Sequence, residues 1–132
     1  MKITVDTNIL VRSAVRDDEK QARIADRILG DAEIVALTVP CLCEFVWVLS
    51  QVYKFRRDDI AAALDLLLDA ENVVVNRLAV DAGLNVLKAG GDFADALIAY
   101  EGEWLGGDTF VSFDKQAVAL LASQGRAASL AA

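Results

Sequence analysis

Histidine is absent from the 132 residues, cysteine occurs twice and proline once. A closed zinc site of Cys and His ligands therefore lacks the side chains to build it. Cys41 and Cys43 stand two positions apart, which on a helix turns them to nearly opposite sides. They are poorly placed to bridge and read as small buried hydrophobes. No apolar run approaches the roughly 20 residues of a membrane span. At the N-terminus Ile3 and Val5 lead directly into Asp6, without the basic-then-apolar order of a signal peptide. The expectation is a soluble, cytoplasmic protein with no membrane contact. Cations are also scarce, at 13 Lys and Arg against 20 Asp and Glu, a net charge of −7. That balance works against nucleic acid, because phosphate contacts need Lys and Arg. Distribution tempers it. Arg12, Arg16, Lys20, Arg23 and Arg27 gather near the N-terminus, and Lys54, Arg56 and Arg57 form a second group. Both groups read either as solvated helix faces or as contacts to a polyanion.

Hydrophobic residues make up 55% and charged ones 25%, enough for a core without disulfides or a structural metal. The length suits a single domain over residues 1–132. Apolar runs alternate with helical periodicity. "KITV" reads as a first strand. Asp18 with Gln21 resembles a capping box, opening a helix that buries Ala22, Ala25, Ile28 and Leu29 and ends at Gly30. "EIVALT" is a second strand. Pro40 suits the first turn of a helix reaching about Tyr53. Asp58 or Asp59 caps the next, with Ile60, Leu64, Leu67 and Leu68 inward. "NVVVN" is a third strand, apolar enough to be buried on both faces. Helices follow from Leu78 to Ala89 and from near Asp92 to Trp104. "DTFVSF" is a fourth strand, a short helix runs from Asp114 to Ala122, and "AASL" is a weak edge strand. Strands alternating with helices imply an α/β fold with a parallel sheet covered on both faces. Sites in such sheets form outside the carboxyl ends of the strands.

Four acids stand out in this frame. Asp6 ends the first strand, where an ionised carboxylate beside a hydrophobic sheet is costly unless paired. Glu44 lies in "PCLCEFVWVLSQVY", a helix almost apolar all round and so expected to be deeply packed, with no helical ion-pair partner at Pro40 or Val48. Its other reading is a place near an exposed first turn, favoured by the helix dipole. Asp92 and Asp95 share a helix face after Gly90 and Gly91, and taken alone they read as an N-cap and its acid. Asp114 follows an apolar strand and has a capping reading too. Together, Asp6, Glu44, Asp95 and Asp114 sit where the inferred topology reaches one end of one sheet. Carboxylates crowded in a partly dry pocket either protonate or take up a cation. Hard divalent ions prefer oxygen ligands, Mg²⁺ with one or two carboxylates and Mn²⁺ with the same set. Asn8 would hold the Asp6 carboxylate or a water in place. RNA cleavage through the 2′-hydroxyl commonly relies on a positioned base, most often His. With none here, metal-activated water on one or two Mg²⁺ or Mn²⁺ ions fits the inventory.

The segments "VDTNIL", "CEFVWVL", "DFADALIA" and "TFVSFDKQA", in that order and spacing, resemble a PIN domain, specifically the VapC-type toxin ribonucleases of toxin–antitoxin pairs. The resemblance covers nearly the whole chain. It implies a three-layer α/β/α sandwich around a central, mostly parallel sheet of four to five strands. It also implies Mg²⁺- or Mn²⁺-dependent endoribonuclease activity and inhibition by a cognate VapB-like antitoxin. Carried over by motif, Asp6, Glu44, Asp95 and Asp114 would form the acidic quartet. Asp6 and Asp95 would be direct ligands, and Glu44 would bind directly or through water. Asp92 is an extra acid ranked below these. The resemblance implies a homodimer and toxin–antitoxin hetero-oligomers. The expected substrate is RNA, with Arg12, Arg16, Lys54, Arg56 and Arg57 as its candidate contacts.

Two other readings compete. A haloacid-dehalogenase-like phosphatase also begins with an acid after its first strand, but it expects a second Asp where Asn8 stands. A non-catalytic PIN-like interaction module would use the same acids only as helix caps.

Overall fold

The computed structural model describes residues 1–131. The chain forms two compact units, one spanning Met1–Asn76 and the other starting at Arg77. The first contains β1 (Lys2–Thr4), α1 (Thr7–Val15), α2 (Glu19–Asp31), β2 (Ile34–Ala36), α3 (Val39–Gln51), α4 (Arg57–Asp69) and β3 (Val73–Val74). Its strands form a parallel sheet in the order β1-β2-β3, with Ile3 opposite Val35 and Val35 opposite Val73. Parallel neighbours need crossovers long enough to return the chain to the same end. The helix pairs α1–α2 and α3–α4 supply them. Val35 of the central strand is wholly buried, as are Leu10, Leu42, Phe45, Leu49 and Leu64 from the covering helices. Each such side chain contributes about 1.5–3 kcal/mol relative to exposure.

The second unit contains α5 (Arg77–Lys88), α6 (Phe93–Trp104), β4 (Phe110–Ser112), α7 (Lys115–Ser123) and β5 (Ala128–Leu130). β4 and β5 pair in parallel through the α7 crossover, with Val111 opposite Ser129. α5 and α6 pack at Gly83, where an added Cβ would collide with Leu97 and come within 2.6 Å of the Phe93 ring. Phe93 and Leu97 are buried there. All five anticipated strands are present and every pairing is parallel, which places the chain in the α/β class, but they form a three-stranded and a two-stranded sheet rather than the one sheet of four to five strands expected.

Several local expectations change. A helix, α1, follows β1 directly, where the sequence reading has none. Ile28 is exposed and Leu29 half-buried, although the helical pattern places both inside. α2 buries Ala22 and Ala25. At ~100° per residue Leu29 projects between those two, whereas Ile28 turns a further ~60° away. Asp58 and Asp59 do not cap α4. The helix starts at Arg57, which puts both inside the first turn, where they act on the dipole. Nor is β3 buried on both faces: Val74 is 52% exposed, because β3 is a two-residue strand at the end of the sheet order.

Candidate active site

In the first unit the end of β1 and the start of α3 carry the acids. Asp6 is the N-cap of α1. Its Oδ1 accepts from the Thr7 amide at 2.7 Å, and its Oδ2 accepts from Asn8 Nδ2 at 3.4 Å. Asn8 thus donates one hydrogen bond to the Asp6 carboxylate. The Asp6 side chain is exposed, so water and the cap satisfy it, and the burial cost anticipated from sequence does not arise. Glu44, six residues into α3, is exposed as well. α3 is not packed all round: Leu42, Phe45, Val46 and Leu49 are buried, but Trp47 is 60% exposed. Cys41, three residues before Glu44 on α3, bonds to the chain on either side of Asp6. Burial pushes its thiol up, the Thr7 hydrogen bond opposes this, and the negative charges of Asp6 and Glu44 add to the rise. One buried thiol therefore feels both carboxylates.

In the second unit Asp92 caps α6. Its Oδ2 accepts from the Asp95 amide at 3.2 Å. Asp114 caps α7, with Oδ1 accepting from Gln116 N at 2.9 Å and Ala117 N at 3.1 Å. Its own amide donates to Ser112 Oγ at 3.0 Å. The capping readings of Asp92 and Asp114 therefore hold. Asp95 differs from them. It is half-buried, and its carboxyl is pushed up from 3.8 to about 6. Burial is the largest cause, followed by the charge of Asp92, a side-chain hydrogen bond with Asp92, and the charge of Asp114. This unit thus places Asp92 and Asp114 each within electrostatic reach of Asp95. A cavity of about 240 Å³ in the same unit is lined by Ile98, Gly102, Asp108, Phe110, Val111 and Arg126. None of Asp92, Asp95 or Asp114 lines it, so it is not where those acids meet.

Among the described residues, no group of three or more Cys, Asp and Glu stands close enough to hold a metal ion as arranged. Asp6, Asp92 and Asp114 each turn an oxygen back to the backbone as helix caps. Asp114 makes both its capping bonds through Oδ1. The donor set itself suits a hard divalent cation. It is all oxygen, and the carboxyl of Asp95, raised first by burial and then by the charges of Asp92 and Asp114, is a group whose ionised form a cation favours.

The nominated cations differ in their surroundings. Arg12 pairs with Asp17 at 2.9 Å, and Arg16 pairs with Asp26 at 2.6 Å and Glu19 at 2.9 Å. These partners raise both guanidinium groups further above their ordinary value. Lys54, Arg56 and Arg57 are exposed around the link between α3 and α4, and Lys54 adopts a left-handed φ of 58°. Sequence reasoning passed over Thr7, the buried polar residue of the described core at 7% exposure. Its signal was a hydroxyl directly behind the acid in "VDTNIL".

The family model described as the PIN domain matches residues 3–120. No curated protein matches the chain.

Proposed function

The chain belongs to the PIN domain family, and from that membership we propose that it is a metal-dependent endoribonuclease, the toxin of a VapBC-type pair. PIN domains are generally nucleases, so the chain is read as a hydrolase of nucleic-acid phosphodiesters. The metal requirement, RNA as substrate, a VapB-like antitoxin as inhibitor and a homodimeric state are the finer parts of the proposal. The ligands proposed by motif for one or two Mg²⁺ or Mn²⁺ ions are Asp6, Glu44, Asp95 and Asp114, with Asp92 as a further acid. When bound, such an ion activates water and neutralises charge on the attacked phosphate.

The chain's own residues do the rest. Asn8 orients Asp6 through its 3.4 Å bond. Asp95 keeps its proton below about pH 6 and must release it to act as a ligand. Asp92 and Asp114 make that release harder by their charge, so the acids accept a cation more readily than they tolerate one another. The observation that carries the proposal is the PIN family match over residues 3–120; the raised Asp95 carboxyl, in a chain with no histidine to serve as base, supports it.

Capping alone is the rival account of the same acids, and Asp→Asn substitutions separate the two. Asn caps a helix about as well as Asp but is a far poorer ligand for a divalent cation. Asp114→Asn and Asp6→Asn should therefore keep the thermal midpoint while weakening Mn²⁺ binding and RNA cleavage. EDTA should abolish cleavage, and Mg²⁺ or Mn²⁺ should restore it. Cleavage that persists in EDTA, or Asn variants with full activity, would refute the proposal.

A further inference from the structure

We propose that Cys41, acting with Thr7, is a positioning residue that fixes the Asp6 carboxylate against the helix carrying Glu44. The proposal rests on the metal-site reading above. Asp6 lies in the short link between β1 and α1. Both of its chain neighbours are tied to one sulfur on α3. Thr7 Oγ1 donates to Cys41 Sγ at 3.7 Å, and Cys41 Sγ donates to the Val5 carbonyl oxygen at 3.7 Å. Val5 and Thr7 bracket Asp6, so the link cannot shift without breaking one of these bonds. Cys41 and Glu44 are three residues apart on α3, a spacing that shares a helix face. The clamp therefore joins the backbone of one acid to the helix of the other.

Burial makes the clamp hard to open. Val5 and Thr7 are each 7% exposed and Cys41 is 8% exposed. A buried hydroxyl or carbonyl without a partner is costly, and water has little access to replace the sulfur. Because burial and the neighbouring carboxylates push the thiol up, Sγ keeps its proton and serves as both donor and acceptor. The same features leave it inert as a nucleophile. Ligands on a short link need such support, since a site works only when its supporting side chains lock it in place.

The test compares Cys41→Val, which fills the space but removes donor and acceptor, with Cys41→Ser, which keeps both. The first readout needs no metal: hydrogen exchange of the Thr7 amide, which donates to Asp6 Oδ1 at 2.7 Å. The second is calorimetric titration of the full chain with Mn²⁺. Cys41→Val should speed that exchange and weaken Mn²⁺ affinity about tenfold, while Cys41→Ser stays near wild type in both. If Cys41→Val does not fold, Thr7→Val removes the hydroxyl at constant shape and is read the same way. Wild-type exchange in a folded Val variant overturns the clamp. Altered exchange with unchanged Mn²⁺ affinity overturns the positioning role. A wild-type chain that binds no Mn²⁺, with exchange altered as expected, supports the clamp and sinks the metal-site reading instead.

Discussion

Replacing Asp92 by Asn separates the two jobs of that side chain. Asn caps a helix about as well as Asp, so the 3.2 Å bond from the Asp95 amide has a ready acceptor in the new side chain. What disappears is the negative charge beside Asp95. Burial is the first cause of the Asp95 displacement from 3.8 to about 6, and Asp92 is the second. The Asp95 titration should therefore move down in Asp92→Asn without reaching 3.8. At full strength the wild-type displacement amounts to about 3 kcal/mol. Asp95 is only half-buried, and solvent screening brings this to about 1 kcal/mol. The sign follows from proton binding. Between about pH 4 and 6 the folded chain holds a proton that the unfolded chain has released. The stability that this proton contributes is complete below the unfolded value and is lost as pH rises through the folded one. Asp92→Asn should make that decline shallower. Carboxyl ¹³C NMR titration reads the protonation, and urea unfolding on either side of the window reads the stability. An Asp95 that titrates near its ordinary value in the wild type, or that Asp92→Asn leaves in place, refutes the reasoning.

Other outcomes follow from the same geometry. Mn²⁺ affinity should rise with pH up to about 6 and then level off, because the ion competes with the Asp95 proton; a calorimetric pH series checks it. Asp95→Ala should remove RNA cleavage and keep the circular dichroism spectrum, since the side chain is only half-buried. Gly83→Ala should destabilise by about 1–3 kcal/mol through overpacking, because its Cβ would meet Leu97 and the Phe93 ring; a lower urea midpoint at constant slope shows it. Replacing Lys54, Arg56 and Arg57 with Ala should flatten the salt dependence of RNA binding, by about 0.7 in the logarithmic slope for each phosphate left without its cation. An unchanged slope removes that group from the interface.

Much of the element order is legible in the sequence, because the signals are short-range. Asp18, Asp92 and Asp114 each cap the helix that begins beside them, as the spacing to the following residues requires. Gly90 stops α5 with a φ of 100°, a value that favours glycine. α1 is less legible, since Ile9, Leu10 and Val11 continue an apolar run that reads equally well as strand. The outward turns of Ile28, Trp47 and Val74 are not legible either. Each is apolar and sits in an apolar run, and its exposure depends on which neighbouring element does or does not cover it.

The acids divide in the same way. Their identity, their order and the lack of histidine or further cysteine are properties of the chain alone. They fix oxygen as the chemistry of any ligand set before a fold is drawn. Two things needed the tertiary structure. Asp95 is displaced while its helix neighbour Asp92 caps the helix in the open, because burial and a charge from a different helix end, at Asp114, act only once the chain is folded. Cys41 reaches Val5 and Thr7, more than 30 positions away, and no local pattern encodes that distance. Capping is decided within one turn, whereas desolvation and cross-chain bonds depend on what folding brings alongside.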